Sequence, residues 1–488
     1  MMDRENKYWM QNLLTATAIV IISGLLLYGY FWGQSLALYF LVMIFLGILI
    51  LRYPQVGLFL VFVCTMWFER YFTLEPLQIG DKLYKIYSLD FIIGFIFLGF
   101  IFFLLRGKKI KVKLLKFDWL ILIFVGLVSL NFVYSLFTSN DPALAFGTYK
   151  NYALYGIVYF FCVLLLQNKE DWKNLMLWLS IGGVGLFFFL TYGLINGAGL
   201  WSEYTPLSTL GSRLIAGPHA FYLVIFSFWA LANYLWSDNL KIDKVIFKKI
   251  LFWILLICAF GIIVSLVRHL WLALAVIVVL WFVYLKKEQS GELLQIFKKT
   301  AITLFFIFII GFWLSNLFSL DMFNTQKITS ILSQRINVNS VITLQDSSFR
   351  WRLATWTEGF RTWSRQPILG TGLGYVVSGY DDVYYFEIAM RELHNNYLGL
   401  LFQLGIFIFG FVVYWFGHMI KQIHQLALTI FNSTDLTIKK LFFTWSNVFI
   451  LFIIIFAGSV YWDINYFIIW WWLALAGLRF VLVESKEI

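Results

Sequence analysis

The sequence predicts an all-α polytopic membrane protein with about fourteen transmembrane helices. Of its 488 residues, 61% are hydrophobic and only 13% are charged, whereas soluble globular domains contain about 25% charged residues. Apolar runs of roughly 20 residues, the length that crosses a bilayer core, recur along most of the chain. One long polar segment, residues 319–393, interrupts them. The chain therefore divides into membrane helices and one segment that can fold outside the bilayer.

The apolar runs define the predicted spans and three regions. The spans are 12–31, 35–51, 54–70, 88–105, 117–137, 150–167, 174–195, 216–236, 248–266, 268–285, 299–318, 394–417, 441–460 and 464–482. The two runs that meet at Arg268 are almost continuous, so they could also merge. We expect residues 1–318 to form the first eleven helices, 319–393 an extracytoplasmic loop or lid with short helices, and 394–488 the last three helices.

Lysine-rich loops predict the orientation of these spans. Lysines cluster in alternate loops, at 106–116, 241–249, 286–299 and 421–440. Short loops rich in lysine and arginine lie on the cytoplasmic side of a membrane. We therefore expect both termini in the cytoplasm, a retained first helix rather than a cleaved signal peptide, and the long segment on the outer side. The formal charge of +11 then reflects topology, and nucleic acid is not an expected partner.

Arginine is distributed differently from lysine, because most arginines fall on the predicted outer side. The long segment contains six arginines and one lysine against seven acidic residues, so it is not a simple basic patch. The planar guanidinium grips phosphate and carboxylate groups with two parallel hydrogen bonds. This pattern indicates a phosphate-bearing or acidic ligand. The alternative is that these arginines pair with acidic residues of the loops.

Several familiar kinds of site are absent from the sequence. Cys64, Cys162 and Cys258 each lie in an apolar run, without disulfide or zinc spacing. There is no phosphate-binding Walker loop and no dinucleotide fingerprint. The glycine-rich stretch 370–374 follows Pro367 on the outer side, so we interpret it as a tight turn. The sequence thus contains none of these nucleotide-binding or metal-binding motifs.

Basic residues gather at three places on the predicted outer membrane edge. Arg213 precedes Gly217 and Pro218 at the start of the eighth span, and Arg268 with His269 lies between the ninth and tenth. The third group belongs to the long segment and its end: Arg350, Arg352, Arg361, Arg365, Arg391 and His394. A charge at the end of a span must be solvated, paired or extended towards the lipid headgroups. Arg213 and Arg268 could therefore also serve only as headgroup contacts.

His394 and Asn395 open the twelfth span. Histidine is suited to act as a general base because the imidazole pKa lies close to physiological pH. The alternative is a structural role at the start of a helix. Other candidate bases are Glu358, Asp381, Asp382 and Glu387, and two further histidines, His219 and His269, lie close to the membrane-edge arginines.

These residues resemble the O-antigen ligase and polysaccharide polymerase superfamily of bacterial membrane glycosyltransferases, from about residue 200 to 415. Arg352 and Trp356, followed by Pro367, Gly370 and Gly372, are similar to its arginine, tryptophan and Pro-x-x-Gly-x-Gly signature. His394-Asn395 with Gly405 resembles its histidine motif, and Arg213 and Arg268 resemble its membrane-edge arginines. Arg361, separated from Gly372 by ten intervening residues, fits a polymerase spacing. His269 and Ile408 depart from the family pattern, which leaves the subtype open.

The resemblance implies a metal-independent, inverting glycosyltransferase that uses no cofactor. Its donor would be a glycan on a polyprenyl diphosphate, presented from the outer leaflet of the bacterial cytoplasmic membrane. Arg213 and Arg268 would clamp the diphosphate, with Arg352 assisting. His394 would take the proton of the acceptor hydroxyl. Arg361, Arg391 and Asn395 would be further substrate contacts.

Two subtypes of the family remain open. A polymerase transfers the growing chain to another lipid-linked unit, and a ligase transfers a finished glycan to a lipid or protein acceptor. The length of the chain and its number of predicted spans favour a polymerase, and its layout resembles the membrane protein of teichuronic acid operons. Polysaccharide-export machinery is a possible partner. Two alternatives belong to other functional classes: a transporter of lipid-linked oligosaccharide and a structural subunit of a wall-synthesis complex. Transporters often contain internal repeats, and no such repeat is evident in this sequence.

Overall fold

A computed structural model describes residues 4–32, 36–68, 77–79, 82–84, 87–105, 107, 113–138, 140–196, 214–237, 243–318, 347–381, 386–390, 393–459 and 461–486. The chain forms two compact units. The first comprises Met1–Gly185 with Ile464–Phe480, and the second comprises Leu186–Asp463 with Val481–Ile488.

Apolar helices dominate the first unit. In chain order its elements are α1 (Arg4–Trp32), α2 (Leu36–Arg52), α3 (Pro54–Phe68), strands β1 (Leu77–Ile79) and β2 (Lys82–Tyr84), α4 (Ser88–Leu105), α5 (Lys116–Leu136), α6 (Pro142–Tyr152), α7 (Ile157–Leu165) and most of α8 (Lys169–Asn196). Most of the last helix of the chain, α16 (Asn465–Glu484), also belongs to this unit. Helix α3 packs against α1 and α4, and α2 packs against α4. The two strands form an antiparallel hairpin.

A buried ion pair lies in the first unit. The Arg479 guanidinium donates from Nε to Asp118 Oδ1 at 2.7 Å, and the Tyr159 hydroxyl donates to the same oxygen. The other carboxylate oxygen accepts from the Leu115 amide at 2.6 Å, which caps the start of α5. Because a buried charge is costly without partners, these bonds allow Asp118 to lie in an apolar core.

The second unit contains the residues that the sequence predicts as functional. Its elements are α9 (Gly217–Leu235), α10 (Lys244–Val264), α11 (Arg268–Tyr284), α12 (Lys287–Phe318), α13 (Ser347–Trp363), strands β3 (Val377–Asp381) and β4 (Phe386–Met390), α14 (Asn396–Ile430) and α15 (Leu436–Ile455). Helix α9 packs against α10 and α15, and α11 also packs against α15.

Helices occur at all fourteen predicted spans, and those of the spans 150–167 and 394–417 are interrupted, the latter at Gly405. In the span 150–167, α6 ends at Tyr152, a 3-10 turn follows at Leu154–Gly156, and α7 begins at Ile157. The boundary at Arg268 is confirmed, since α10 ends at Val264 and α11 begins at Arg268. Among the described residues, nine helices are long and apolar enough to cross a membrane, and three shorter apolar helices accompany them. A helical, multi-pass membrane protein is thus confirmed, while the number fourteen and the orientation stay predictions.

Strands β3 and β4 add a hairpin to the long segment, where only short helices were expected. They are antiparallel, with Val377 opposite Met390 and Asp381 opposite Phe386. In β4, Phe386, Ile388 and Met390 alternate with more polar or smaller residues, which is the period of a strand. The composition of the segment as a whole hides this short alternation.

A small apolar cluster joins α13, β3 and the start of α14. Val377, Leu393 and Phe402 are its buried members, and Trp356 and Trp363 of α13 pack against them. The described part of the long segment is therefore fixed to the helix that follows His394.

Candidate active site

His394 occupies a strained turn directly before α14. Its φ of 52° lies in the left-handed region, which non-glycine residues rarely adopt. This conformation costs about 1–3 kcal/mol and persists only where the surrounding structure imposes it. On one side, the Leu393 carbonyl accepts a hydrogen bond from Trp356 Nε1 at 2.8 Å. On the other, Asn395 caps α14 by accepting from the amides of Tyr397 and Leu398 at 3.1 and 3.2 Å. The imidazole is thus held at the start of the helix by its neighbours.

Asn396 anchors the same turn to residues 456–463, which follow α15 and which we call the 456–463 turn. Its amide donates to the Phe456 carbonyl at 2.7 Å. Its side chain donates to Asp463 Oδ2 at 3.0 Å and accepts from the Trp462 amide at 3.1 Å. Both Asn396 and Asp463 are buried. These bonds fix the position of His394 relative to the 456–463 turn.

Arg352 reaches the 456–463 turn from α13. Its Nη1 donates to the Gly458 carbonyl at 3.4 Å. The preceding residue, Trp351, meets the His394 ring edge to face, with ring centroids 5.3 Å apart. Arg352, Trp351 and His394 are all half-buried, so they are partly accessible to a ligand. One helix therefore brings an arginine to the turn that also holds the histidine.

Arg268 and His269, the first two residues of α11, bring a third element to this turn. His269 Nε2 and the Tyr461 hydroxyl share a hydrogen bond of 2.7 Å. A Cβ added at Gly458 would lie only 3.3 Å from His269 Cβ, so the backbone of the turn passes close to the histidine. Leu266, with a φ of 57°, turns the chain between α10 and α11. His269 and Arg352 therefore flank Gly458.

The start of α9 also contacts the 456–463 turn. Phe221 packs against Tyr461, with ring centroids 5.3 Å apart. His219 on the same helix is completely buried and packs against Phe189, with ring centroids 4.3 Å apart, which indicates a core position for this candidate base. Arg213, four residues before α9, lies outside the described residues.

Two other predicted site residues, Arg361 and Glu358, form a separate pair on α13. Arg361 is exposed on α13, where its Nη1 pairs with Glu358 Oε2 at 2.8 Å one turn away. Asp381 and Glu387 belong to strands β3 and β4. Arg391 and Asp382 lie outside the described residues.

The glycine-rich turn inserts into a break in α14. Helix α14 is interrupted at Gly405, with φ 76° and ψ 175°. The Phe402 carbonyl accepts from the Thr371 amide at 2.8 Å, and Ile406 donates to the Pro367 carbonyl at 2.9 Å. Gly370, Gly372 and Gly374 all have positive φ, so the predicted tight turn is confirmed. This turn supplies hydrogen bonds that the helix loses at its break.

The backbones of the glycine-rich turn and of α14 lie very close together at this break, which explains why each contributes a glycine, Gly370 and Gly405. A Cβ at Gly370 would lie 2.5 Å from the Gly405 nitrogen, and a Cβ at Gly405 would lie 2.1 Å from the Ile368 carbonyl oxygen. Neither space can hold a side chain. The two motifs thus form one joint, which fixes the long segment to α14 eleven residues after His394.

The 456–463 turn was not predicted as part of the site. It is short and lies between two apolar runs, so hydropathy conceals it. Its only signal in the sequence is the run Tyr461-Trp462-Asp463, which places a phenol and a carboxylate between two spans.

Within the described ranges, no group of three or more histidine, cysteine or acidic side chains could hold a metal ion.

Comparison with known families gives one match. Residues 253–414 match a family described as O-antigen ligase. This range includes Arg268, Arg352, His394 and the Gly370–Gly405 joint, and it ends before the 456–463 turn. Neither the curated proteins nor the solved structures give a match.

Proposed function

We propose that the protein joins polyprenyl-diphosphate-linked glycan units on the outer face of the bacterial cytoplasmic membrane, because residues 253–414 match a family described as O-antigen ligase. It would act as a polymerase of a cell-wall or surface polysaccharide. The observation that carries this proposal is the attachment of three groups to one turn: Asn396 two residues after His394, Arg352, and His269 next to Arg268.

The proposed reaction is a single displacement. The acceptor hydroxyl attacks the anomeric carbon of the donor glycan, and the bond from that carbon to the diphosphate oxygen breaks. The diphosphate leaves with the bonding electrons, and His394 accepts the proton of the hydroxyl as general base. Attack from the side opposite the leaving group inverts the configuration of the anomeric carbon. The left-handed backbone at His394 suits this role, because it holds the imidazole in a defined position at the start of α14.

Arginines supply the positive charge that the leaving diphosphate needs in this proposal. Negative charge grows on the diphosphate as the glycosidic bond breaks, and preorganised donors that face it lower the barrier. We assign this task to Arg213 and Arg268, with Arg352 assisting while Gly458 orients its guanidinium. The arrangement invokes no metal ion.

The remaining predicted residues take supporting roles in the proposal. Asn395 fixes the backbone beside His394 through its capping bonds. Arg361 and Arg391 would contact the glycan further from the reacting atoms. For Arg361, this position is suggested by its exposed guanidinium and its local ion pair with Glu358.

A ligase is the second candidate, because the matched family is described as O-antigen ligase. The two candidates use the same donor and the same chemistry, and they differ only in the acceptor. A polymerase lengthens a lipid-linked chain, whereas a ligase moves a finished chain to a different molecule. They therefore leave different intermediates when the reaction is blocked.

The test is to replace the chromosomal gene with a His394→Ala variant and to size the lipid-linked glycans that accumulate. A polymerase predicts single lipid-linked units and no polymer, and a ligase predicts long lipid-linked chains that are not transferred. Normal polymer from this variant would overturn both. The matched control is His424→Ala, near the other end of α14, where His424 Nδ1 and the Tyr284 hydroxyl share a hydrogen bond. We expect normal polymer from that control.

A further inference from the structure

Trp351 differs from the other tryptophans of α13. Trp356 and Trp363 pack against the buried cluster of Val377, Leu393 and Phe402, and Trp356 donates its indole N–H to the Leu393 carbonyl. Trp351 is half-buried and has its ring contact with His394. Within the part of the chain that the structure describes, its indole N–H makes no hydrogen bond. Packing against the apolar cluster therefore explains the presence of Trp356 and Trp363, but it does not explain Trp351.

The contact with His394 leaves at least one face of the Trp351 indole uncovered by the imidazole. The Trp351 and His394 rings are inclined at 81°, so the contact uses at most one face of the indole. The face of an aromatic ring is electron-rich, and it attracts the weakly positive C–H groups that line one face of a pyranose. An indole N–H can in addition donate to a sugar hydroxyl. Trp351 thus has the features of a sugar-stacking ring.

We propose that Trp351 stacks against the sugar of the acceptor and holds the attacking hydroxyl beside His394. This inference rests on the proposed function and deepens it. The acceptor is assigned because the ring lies against the proposed base, which takes its proton from the acceptor. The diphosphate of the donor is assigned to Arg268 and its neighbours. The acceptor is then a pyranose with an apolar C–H face, rather than a hydroxyl side chain of a protein.

The experiment compares transfer to a sugar acceptor with release of glycan to water. Lipid-linked glycan purified from His394→Ala cells is the donor, and the same glycan, freed of lipid and capped at its reducing end, is the acceptor. Purified wild-type, Trp351→Ala and Trp351→Phe proteins are assayed at increasing acceptor concentration. Release of glycan to water, measured without acceptor, reports on donor binding and bond cleavage, independently of acceptor binding.

We expect Trp351→Ala to raise the KM for the acceptor roughly three- to tenfold, the size of one aromatic stacking contact, with little change in release to water. Trp351→Phe keeps an aromatic face and recovers most of the affinity. The matched control is Leu353→Ala, an exposed residue of the same helix, which leaves the acceptor KM unchanged.

Four results would overturn the inference. An unchanged acceptor KM in Trp351→Ala shows that the ring does not bind the acceptor. An equal loss of release to water assigns the ring to the donor, and a lowered thermal midpoint with loss of both activities assigns it to the fold. Wild-type protein that releases glycan but transfers none to the sugar excludes a sugar acceptor. Wild-type protein that neither releases glycan to water nor transfers it to the sugar contradicts the proposed function itself. Failure of the proposed function is thus distinguished from failure of the Trp351 inference.

Discussion

The side-chain amide of Asn396 donates a hydrogen bond to the carboxylate of Asp463 at 3.0 Å, although the two residues lie 67 positions apart. Asn396 is fully buried, and Asp463 is 9% exposed. The same side chain accepts from the Trp462 amide. The position of His394, two residues before Asn396, is therefore set by a turn near the end of the chain.

Replacing Asn396 with alanine removes both side-chain hydrogen bonds to the 456–463 turn. Because the Asp463 carboxylate is buried and loses a donor, we expect a destabilisation of roughly 2–3 kcal/mol. Transfer activity falls as well, since His394 is no longer held in place. Thermal unfolding of the purified protein in detergent, followed by tryptophan fluorescence, measures the first effect.

An exchange of the two groups is the control for this variant. In Asn396→Asp with Asp463→Asn, one carboxylate and one amide remain, and the amide can still donate across the turn. We expect this double variant to recover much of the thermal midpoint that each single variant loses. Simple addition of the two single losses would show that the two side chains do not interact.

Replacing Gly405 with alanine is expected to disrupt the joint between α14 and the glycine-rich turn. The new Cβ would lie 2.1 Å from the Ile368 carbonyl oxygen, and alanine disfavours a φ of 76°. We expect a loss of at least about 2 kcal/mol in stability. Gly410→Ala is the matched control on the same helix, because nothing lies within 4 Å of its added Cβ. Equal thermal midpoints for the two variants would contradict the close backbone contact between Gly405 and the glycine-rich turn.

Tyr461→Phe tests whether the contact between Tyr461 and His269 matters for the reaction. The variant removes one hydrogen bond of 2.7 Å and keeps the ring that packs against Phe221. The loss of about 1 kcal/mol for one hydrogen bond corresponds to roughly a fivefold fall in kcat/KM. Steady-state rates against donor concentration measure it. Tyr284→Phe breaks a similar bond to His424 far along α14, and a comparable fall in that control would indicate a general effect on the fold.

Hydropathy alone predicted where the apolar helices lie. Each apolar run of the expected length coincides with helical structure, because the bilayer requires a continuous apolar surface and internal backbone hydrogen bonds. The break at Leu154–Gly156 was not predicted, since the residues around it remain apolar. The kink at Gly405 was hidden for the same reason.

The candidate site was predicted only in part. Arg352 and His394 stand out because they are polar groups next to apolar runs. Their common support, the 456–463 turn, depends on hydrogen bonds between residues that are distant in sequence, such as Arg352 with Gly458. No local pattern encodes such contacts. Trp351 was overlooked because a tryptophan among several aromatic residues looks like a core residue until its surroundings are known.

The most direct test of the central claim is the rate at which purified protein in detergent transfers glycan from a polyprenyl-diphosphate-linked donor to an acceptor. A transporter or a structural subunit gives no transfer in this assay, because no bond chemistry belongs to either function. For a transferase that uses His394 as its base, His394→Ala lowers kcat by roughly 10²- to 10⁴-fold, while His424→Ala retains the wild-type rate. A wild-type rate from His394→Ala, or no transfer by the wild-type protein, would contradict the account.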